Sequence, residues 1–418
     1  MVYNFFKNTF LLLLLIGFFT RCDANTTQNS KKSEATAATV IPETKKDIVV
    51  GANRTAVFLP KLKNKRVGIV ANQTSVIFKS DTEYTHLVDS LVALNVNVQT
   101  VFSPEHGFRG KADAGELVKH GKDIKTGLPI VSLYGKNKKP YPEQLENLDI
   151  VIFDVQDVGA RFYTYISTLH YVMEACAEAN IPVLILDRPN PNGHYVDGPI
   201  LETAFKSFVG MHPIPIVHGM TIGEYGKMIN GENWLKNAVQ CELIVVEVEN
   251  YTHDMFYSLP IKPSPNLPND QSINLYPSLC LLEATRVSIG RGTEKQFQIA
   301  GTPDYFLKRH TYSFTPKPNF GAKSPKNNGK ECHGYDLSQE KRLSEINLKW
   351  LLEFYKTHQQ HAPKKSFFNT DNFFWKLAGT DKLQQQIEAG LTEAEIKASW
   401  QEGLEAFKKI REQYLMYE

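Results

Sequence analysis

Glu105 and His106 stand side by side in "FSPEHG" (102–107), where an apolar run ends. A carboxyl bordered by Phe102, Pro104 and Phe108 is placed for partial loss of hydration, which favours the neutral acid that a proton donor needs. The structural alternative is a salt bridge to Arg109 or Arg161. His106 is suited to act as a base, a metal ligand or a hydrogen-bond donor to substrate. Metal binding has the least support, since the chain has no HExxH and no second histidine at helical spacing from "PEHG".

Other residues extend this chemistry. "DVQDVGARFYTYIST" (154–168) gathers Asp154, Gln156, Asp157, Arg161 and Tyr163 after an apolar stretch. Tyrosine and arginine together suit a sugar, with rings against its apolar faces and planar donors holding hydroxyl or carboxylate oxygens. Helix capping is the alternative for Asp157. Glu174 sits in the apolar "HYVMEACAEA", with Glu178 one helical turn beyond on the same face. Its carboxylate points either into a site or to solvent. Arg188 in "DRPNPNG" and Arg291 in "GRGT" are flanked by Pro or Gly, which fixes their loops and suits recognition of an anionic group. An ion pair with Asp187 or Glu283 is the alternative.

The elements that must position these residues are legible as an alternation of period. "KRVGIVAN", "VNVQTVFS", "PIVSLYG", "DIVIFDVQD", "IPVLILDR" and "CELIVVEV" are apolar nearly throughout. "YTHLVDSLVAL", "LHYVMEACAEA" and "TIGEYGKMI" have helical spacing. Strands of that kind separated by helices predict a Rossmann-like, doubly wound, mostly parallel sheet over 51–258. Ligands bind such a sheet beyond the carboxyl ends of its strands. Asn72, Glu105, His106, Asp154, Asp157, Arg188 and His218 all follow apolar runs there, which predicts one polar cleft. The first strand leads into "ANQTS" and not a glycine-rich turn, so no dinucleotide is expected. After Tyr251 the texture changes to proline-rich irregular chain and then helices. This predicts a second, smaller C-terminal α+β domain over 259–418 that contributes to the cleft.

With 47 basic and 45 acidic residues in 418, the net charge of +2 gives no reason to expect nucleic acid or an anionic membrane surface as partner. The amino terminus has one lysine, an apolar run through Leu11–Ile16, and Cys22 before a polar tract. This layout is that of an export signal, with Cys22 placed as the lipid-attachment residue of a lipoprotein. Residues 23–50 read as a disordered tether. The expected location is the periplasm or outer membrane, with contact to a membrane only through the lipid anchor. Cys176, Cys241, Cys280 and Cys332 form no CxxC pair and are expected as buried thiols.

Taken together, "RVGIVANQTS", "FSPEHGFRG", "DVQDVGARFYTYISTLHYVMEA", "LDRPNPNG", "HGMTIGE", "PSPNLP", "YPSLCLLE" and "GRGT" resemble the NamZ-type exo-β-N-acetylmuramidase family. The resemblance implies release of terminal N-acetylmuramic acid from the non-reducing end of peptide-free peptidoglycan saccharides, without a cofactor. It places one catalytic carboxyl on Glu105 and the second on Glu174, with Asp154, Asp157 and Glu178 as competitors for the second role. Asn72, His106, Asp154, Asp157, Arg161, Tyr163, Arg188, His218 and Arg291 are the expected substrate-binding residues. Two other readings stand beside it. One is a metal-dependent deacetylase or amidase using Asp154, Asp157, His106 and His218, and the other is a lipoprotein that only binds muropeptides.

Overall fold

The structure, a computed structural model, describes residues 47–80, 82–110, 121–304 and 312–418. The expected export signal, Cys22 and most of the tether lie outside them. Residues 47–50 are already packed on the domain: Val49 and Glu249 exchange both backbone hydrogen bonds, and Val50 is buried.

Strands β1 (Val67–Ala71), β4 (Val98–Ser103), β6 (Pro129–Ser132), β7 (Ile150–Asp154), β8 (Val183–Leu186) and β9 (Leu243–Val246) form one sheet with the short β5 (Gly121–Lys122). Their order is β5-β6-β4-β1-β7-β8-β9, all neighbours parallel except β5 against β6. Counting only the parallel strands in chain order, this is 3-2-1-4-5-6, the Rossmann arrangement. A hairpin of β2 (Val76–Phe78) and β3 (Tyr84–His86) follows β1. β1, β7 and β8 are buried at every position, as a sheet covered on both faces requires.

Each face has its own apolar core. One packs Phe58, Leu62 and helix α2 (Leu87–Ala93), which follows the short α1 (Thr55–Phe58), against Ile69, Val101 and Leu184. The other packs α3 (Tyr165–Glu178) and α4 (Ile222–Gly231) against Val70, Phe153 and Ile185. Helix α4 begins at a capping box in which Thr221 and Glu224 satisfy each other's backbone donors.

The C-terminal part begins around α5 (Asp270–Leu279). It contains an antiparallel sheet of β10 (Ile299–Thr302), β11 (Tyr312–Phe314) and β12 (Cys332–Asp336), in the order β10-β12-β11. Helices α6 (Lys349–His361), α7 (Phe373–Ala378), α8 (Lys382–Glu388), α9 (Glu393–Ala398) and α10 (Gln401–Arg411) complete it. The chain end returns to the first sheet: Tyr417 Oη donates to Asp187 Oδ2 at 2.6 Å and accepts from Val248 N at 2.9 Å. Cys176, Cys241, Cys280 and Cys332 are buried free thiols. No helix among the described residues is long and apolar enough to cross a membrane.

Candidate active site

Glu105 is carried by the turn that leaves β4. Gly107 N donates to Pro104 O at 3.2 Å, and His106 has φ 71°, the left-handed conformation that non-glycine side chains adopt at a cost. The turn aims Glu105 at the amino end of α3, where Thr164 Oγ1 donates to its Oε2 at 2.8 Å. Tyr134, just past β6, hydrogen-bonds the same carboxyl. Burial, and then the Glu105 charge, push the Tyr134 phenol well above its ordinary range.

These groups open into a cavity of about 320 Å³ beyond the carboxyl ends of β4, β6 and β7. Tyr163, Tyr165, Phe208 and Tyr276 supply an aromatic wall. Tyr163 Oη donates to Pro263 O at 2.8 Å, and its ring stands edge-on to Tyr165 and Tyr276. The C-terminal part contributes Tyr276, Glu283, Arg291, Phe297 and Phe373. Arg291 Nε and Nη2 meet Glu283 Oε1 and Oε2 at 2.5 and 3.1 Å, and its guanidinium lies 5.1 Å from the centre of the Phe297 ring. Despite burial, the Glu283 charge raises the proton affinity of Arg291, and the two opposite charges offset each other.

Of the residues expected to form the site, Glu105, His106, Tyr163 and Arg291 line this cavity. The others are placed elsewhere. Asn72 is fully buried behind the wall, donating to Tyr165 Oη at 2.9 Å and accepting from Thr74. Asp154 is clasped by Arg188 through Nε–Oδ1 at 2.7 Å and Nη2–Oδ2 at 3.0 Å, with Arg188 also donating to Val76 O. Arg188 therefore pairs with Asp154 and not with its neighbour Asp187. Asp157 accepts from Gly159 N at 2.7 Å and faces His218 Nε2 at 3.7 Å, both buried. Arg161 is fully buried and donates to four carbonyls: Pro199 and Ile214 through Nη1, Leu377 and Ala378 through Nη2. It therefore ties α7 to the loops at Pro199 and Ile214 instead of facing a ligand. Gly379, with φ 77°, is required beside it, because a Cβ there would meet Arg161 Nη2 at 2.5 Å.

Glu174 lies ten residues along α3 from Thr164, about 15 Å at the helical rise. There its Oε1 accepts from Lys139 Nζ at 2.7 Å and its Oε2 from Lys236 N at 2.7 Å. Although buried, Glu174 is held below the ordinary glutamate range by Lys139 and the Lys236 amide. Glu178 shares Lys139 at 2.7 Å. Helix α3 starts at the carboxyl edge of the sheet and runs away from it, so its last turns carry both acids away from Glu105. A larger cavity, about 780 Å³, lies at that end of α3 between Lys139, Tyr141 and Glu178, and it contains neither Glu105 nor Arg291. Size alone does not mark the chemistry, and the smaller cavity is the one built around a positioned carboxyl. Among the described residues no three His, Cys, Asp or Glu side chains converge as metal ligands.

Sequence reasoning passed over Tyr134, Thr164 and Glu283 as members of the wall. Tyr134 and Thr164 had a signal, since both follow sheet strands at the edge where Glu105 was sought. Glu283 had none beyond its spacing from Arg291.

Two family models cover the chain. The one described as the N-terminal part of exo-β-N-acetylmuramidase NamZ matches residues 67–271, and its C-terminal counterpart matches 274–417. The peptidoglycan β-N-acetylmuramidase NamZ of Bacillus subtilis (strain 168) is 38% identical over 427 residues, covering 97% of each chain. Crystal structures of two DUF1343 family proteins from Bacteroides fragilis NCTC 9343 superpose with TM-scores of 0.80 and 0.76, at 46% and 27% identity. Each covers 89% of this chain and 99% of its own.

Proposed function

The chain belongs to the NamZ family of exo-β-N-acetylmuramidases, and from that premise we propose that the Glu105 cavity cleaves terminal N-acetylmuramic acid from the non-reducing end of peptide-free peptidoglycan saccharides. The observation that carries this reading is a carboxyl fixed by Thr164 and Tyr134 on the wall of an aromatic-lined cavity of sugar size.

Glycoside hydrolysis asks for one acid to protonate the leaving oxygen and one carboxylate to take part on the other side of the ring. Glu105 fills the first role, its carboxyl held on the cavity wall by Thr164 and Tyr134. Among the described residues Glu283 is the other acid on the cavity wall, and its pairing with Arg291 suits a carboxylate facing the oxocarbenium-like transition state. The rings of Tyr163, Tyr276 and Phe208 give the pyranose its apolar faces.

The test is release of chromophore from a chromogenic β-N-acetylmuramide. Wild-type protein is expected to be active, and Glu105→Gln to lose about 10²–10⁴-fold in kcat while keeping its fold. Undiminished release by Glu105→Gln refutes the assignment. Export with lipid on Cys22 is proposed from the motif at residues 1–22. Radiolabelled palmitate would be incorporated by wild type and not by Cys22→Ala.

A further inference from the structure

Muramic acid differs from glucosamine by an anionic lactyl arm, so a cleft that prefers it needs a cation that is not already neutralised. The three arginines that sequence reasoning offered for that task are all committed. Arg161 is spent on four carbonyls, Arg188 on buried Asp154, and Arg291 on Glu283. A neutral Arg291–Glu283 pair exerts little net pull on a carboxylate, and displacing Glu283 would leave that acid unpaired beside the incoming anion.

The loop after β6 holds a different cation. Lys138 Nζ lies 4.6 Å from the centre of the Phe208 ring, and Phe208 is part of the cavity wall. Its neighbour Lys139 is bound to Glu174 and Glu178, whereas Lys138 has no carboxylate partner among the described residues. The loop is pinned: Asn137 Nδ2 donates to Ser132 O at 3.0 Å and Tyr134 N to Ser132 Oγ at 3.3 Å. Tyr134 holds Glu105 and packs 6.3 Å from Phe208, so a chain of contacts leads from Glu105 through Tyr134 and the wall residue Phe208 to Lys138. The acid is at one end of these contacts and, at the other, an ammonium with no carboxylate partner among the described residues. In a muramic acid residue the glycosidic oxygen on C1 and the lactyl arm on C3 flank the N-acetyl carbon C2, so one ring asks for an acid and a cation as separate groups.

We propose that Lys138 receives the lactyl carboxylate and sets the preference for N-acetylmuramic acid over uncharged N-acetylhexosamines. The proposal rests on the reading of the cavity as a muramidase site. The aromatic face beneath the ammonium steadies the charge and removes part of its hydration, which strengthens its pairing with a carboxylate.

The experiment compares a chromogenic β-N-acetylmuramide carrying the free lactyl acid with its lactyl methyl ester, for wild type, Lys138→Met and Lys138→Arg. Methionine keeps an apolar stem over Phe208 and removes only the charge. Expected for Lys138→Met is about a tenfold rise in KM for the free acid, little change in kcat, and no change on the ester; Lys138→Arg restores the preference. Wild type should also lose affinity for the free acid, and not for the ester, as salt is raised. An unchanged free-acid to ester ratio in Lys138→Met overturns the assignment of Lys138, as does an equal loss on both substrates. Inactivity of wild type on both substrates overturns the muramidase reading, and this proposal with it.

Discussion

At the scale of single residues, chemical type did not decide role; the partner did. Glu105 and Glu174 are both glutamates in apolar surroundings, and sequence reasoning paired them as the two carboxyls of one mechanism. Glu105 meets neutral hydroxyls beside a cavity, whereas Glu174 meets an ammonium, a backbone amide and His170. Glu174→Gln is therefore expected to destabilise the fold by about 1–3 kcal/mol, because Lys139 and the Lys236 amide lose a charged acceptor. Its kcat on a chromogenic muramide should stay near wild type. Urea unfolding together with kinetics checks this; a collapse of kcat at unchanged stability would return Glu174 to the reaction. The arginines repeat the lesson, since Arg161 and Arg188 answer buried acceptors and leave the ligand's charge to another residue.

At the scale of elements, the strand order reverses between β1 and β7, where folds of this kind usually open a ligand crevice. Here that point is filled by the protein's own polar groups. Ser75 Oγ donates to Asp154 O, Gln156 N donates to Thr74 Oγ1 at 3.0 Å, and Arg188 closes over Asp154. The residues expected to bind substrate at these strand ends, Asn72, Asp154, Asp157 and Arg188, instead stitch the loops together. The cavity is consequently displaced toward β4, β6 and the first turn of α3, and its far wall comes from α5 and the chain just after it. Helix α3 also carries a buried relay at its other end. His212 meets Tyr225 Oη at 2.8 Å through Nδ1 and His170 Nδ1 at 2.9 Å through Nε2, while His170 Nε2 faces Glu174 Oε2 at 3.5 Å. With Glu174 ionised, a single direction of donation satisfies the chain with both imidazoles neutral: Tyr225 to His212, His212 to His170, His170 to Glu174.

At the scale of the whole molecule, these buried imidazoles tie stability to pH. Burial lowers His170 and His86 from 6.5 to about 4, and holds His212 well below 6.5. Below 6.5 the unfolded chain binds protons that the native state refuses, so this contribution is fully present above 6.5 and is lost as pH falls toward 4. Asp187 acts in the opposite sense: burial raises it from 3.8 to about 6, so its contribution is present below 3.8 and lost as pH rises through 6. His194 shifts with these imidazoles, and Asp154 and Asp197 with Asp187, so four imidazoles against three carboxyls give a net loss on acidification. Thermal unfolding at pH 6.5 and pH 4.5 should show a lower Tm at the acidic value, and His170→Gln should reduce the drop by on the order of 2–4 °C. An undiminished drop in the variant would remove His170 from the account.

What the sequence by itself determined was the class and direction of the fold. Runs such as "DIVIFDVQD" and "IPVLILDR" are apolar at consecutive positions, which only a sheet covered on both faces explains, and such a sheet places its loops, Glu105 among them, on one edge. The string of motifs pointed to the family as well, because each is a local arrangement of turn, strand end and side chain. What only the tertiary structure decided was which polar groups face the cavity and which face each other. Arg161 bonds Leu377 and Ala378, more than two hundred residues away, and Arg291 reaches a cavity whose opposite wall begins at Glu105. A buried polar group is satisfied by whatever donor or acceptor the folded chain brings within about 3 Å, and that pairing is not written in the spacing of either partner.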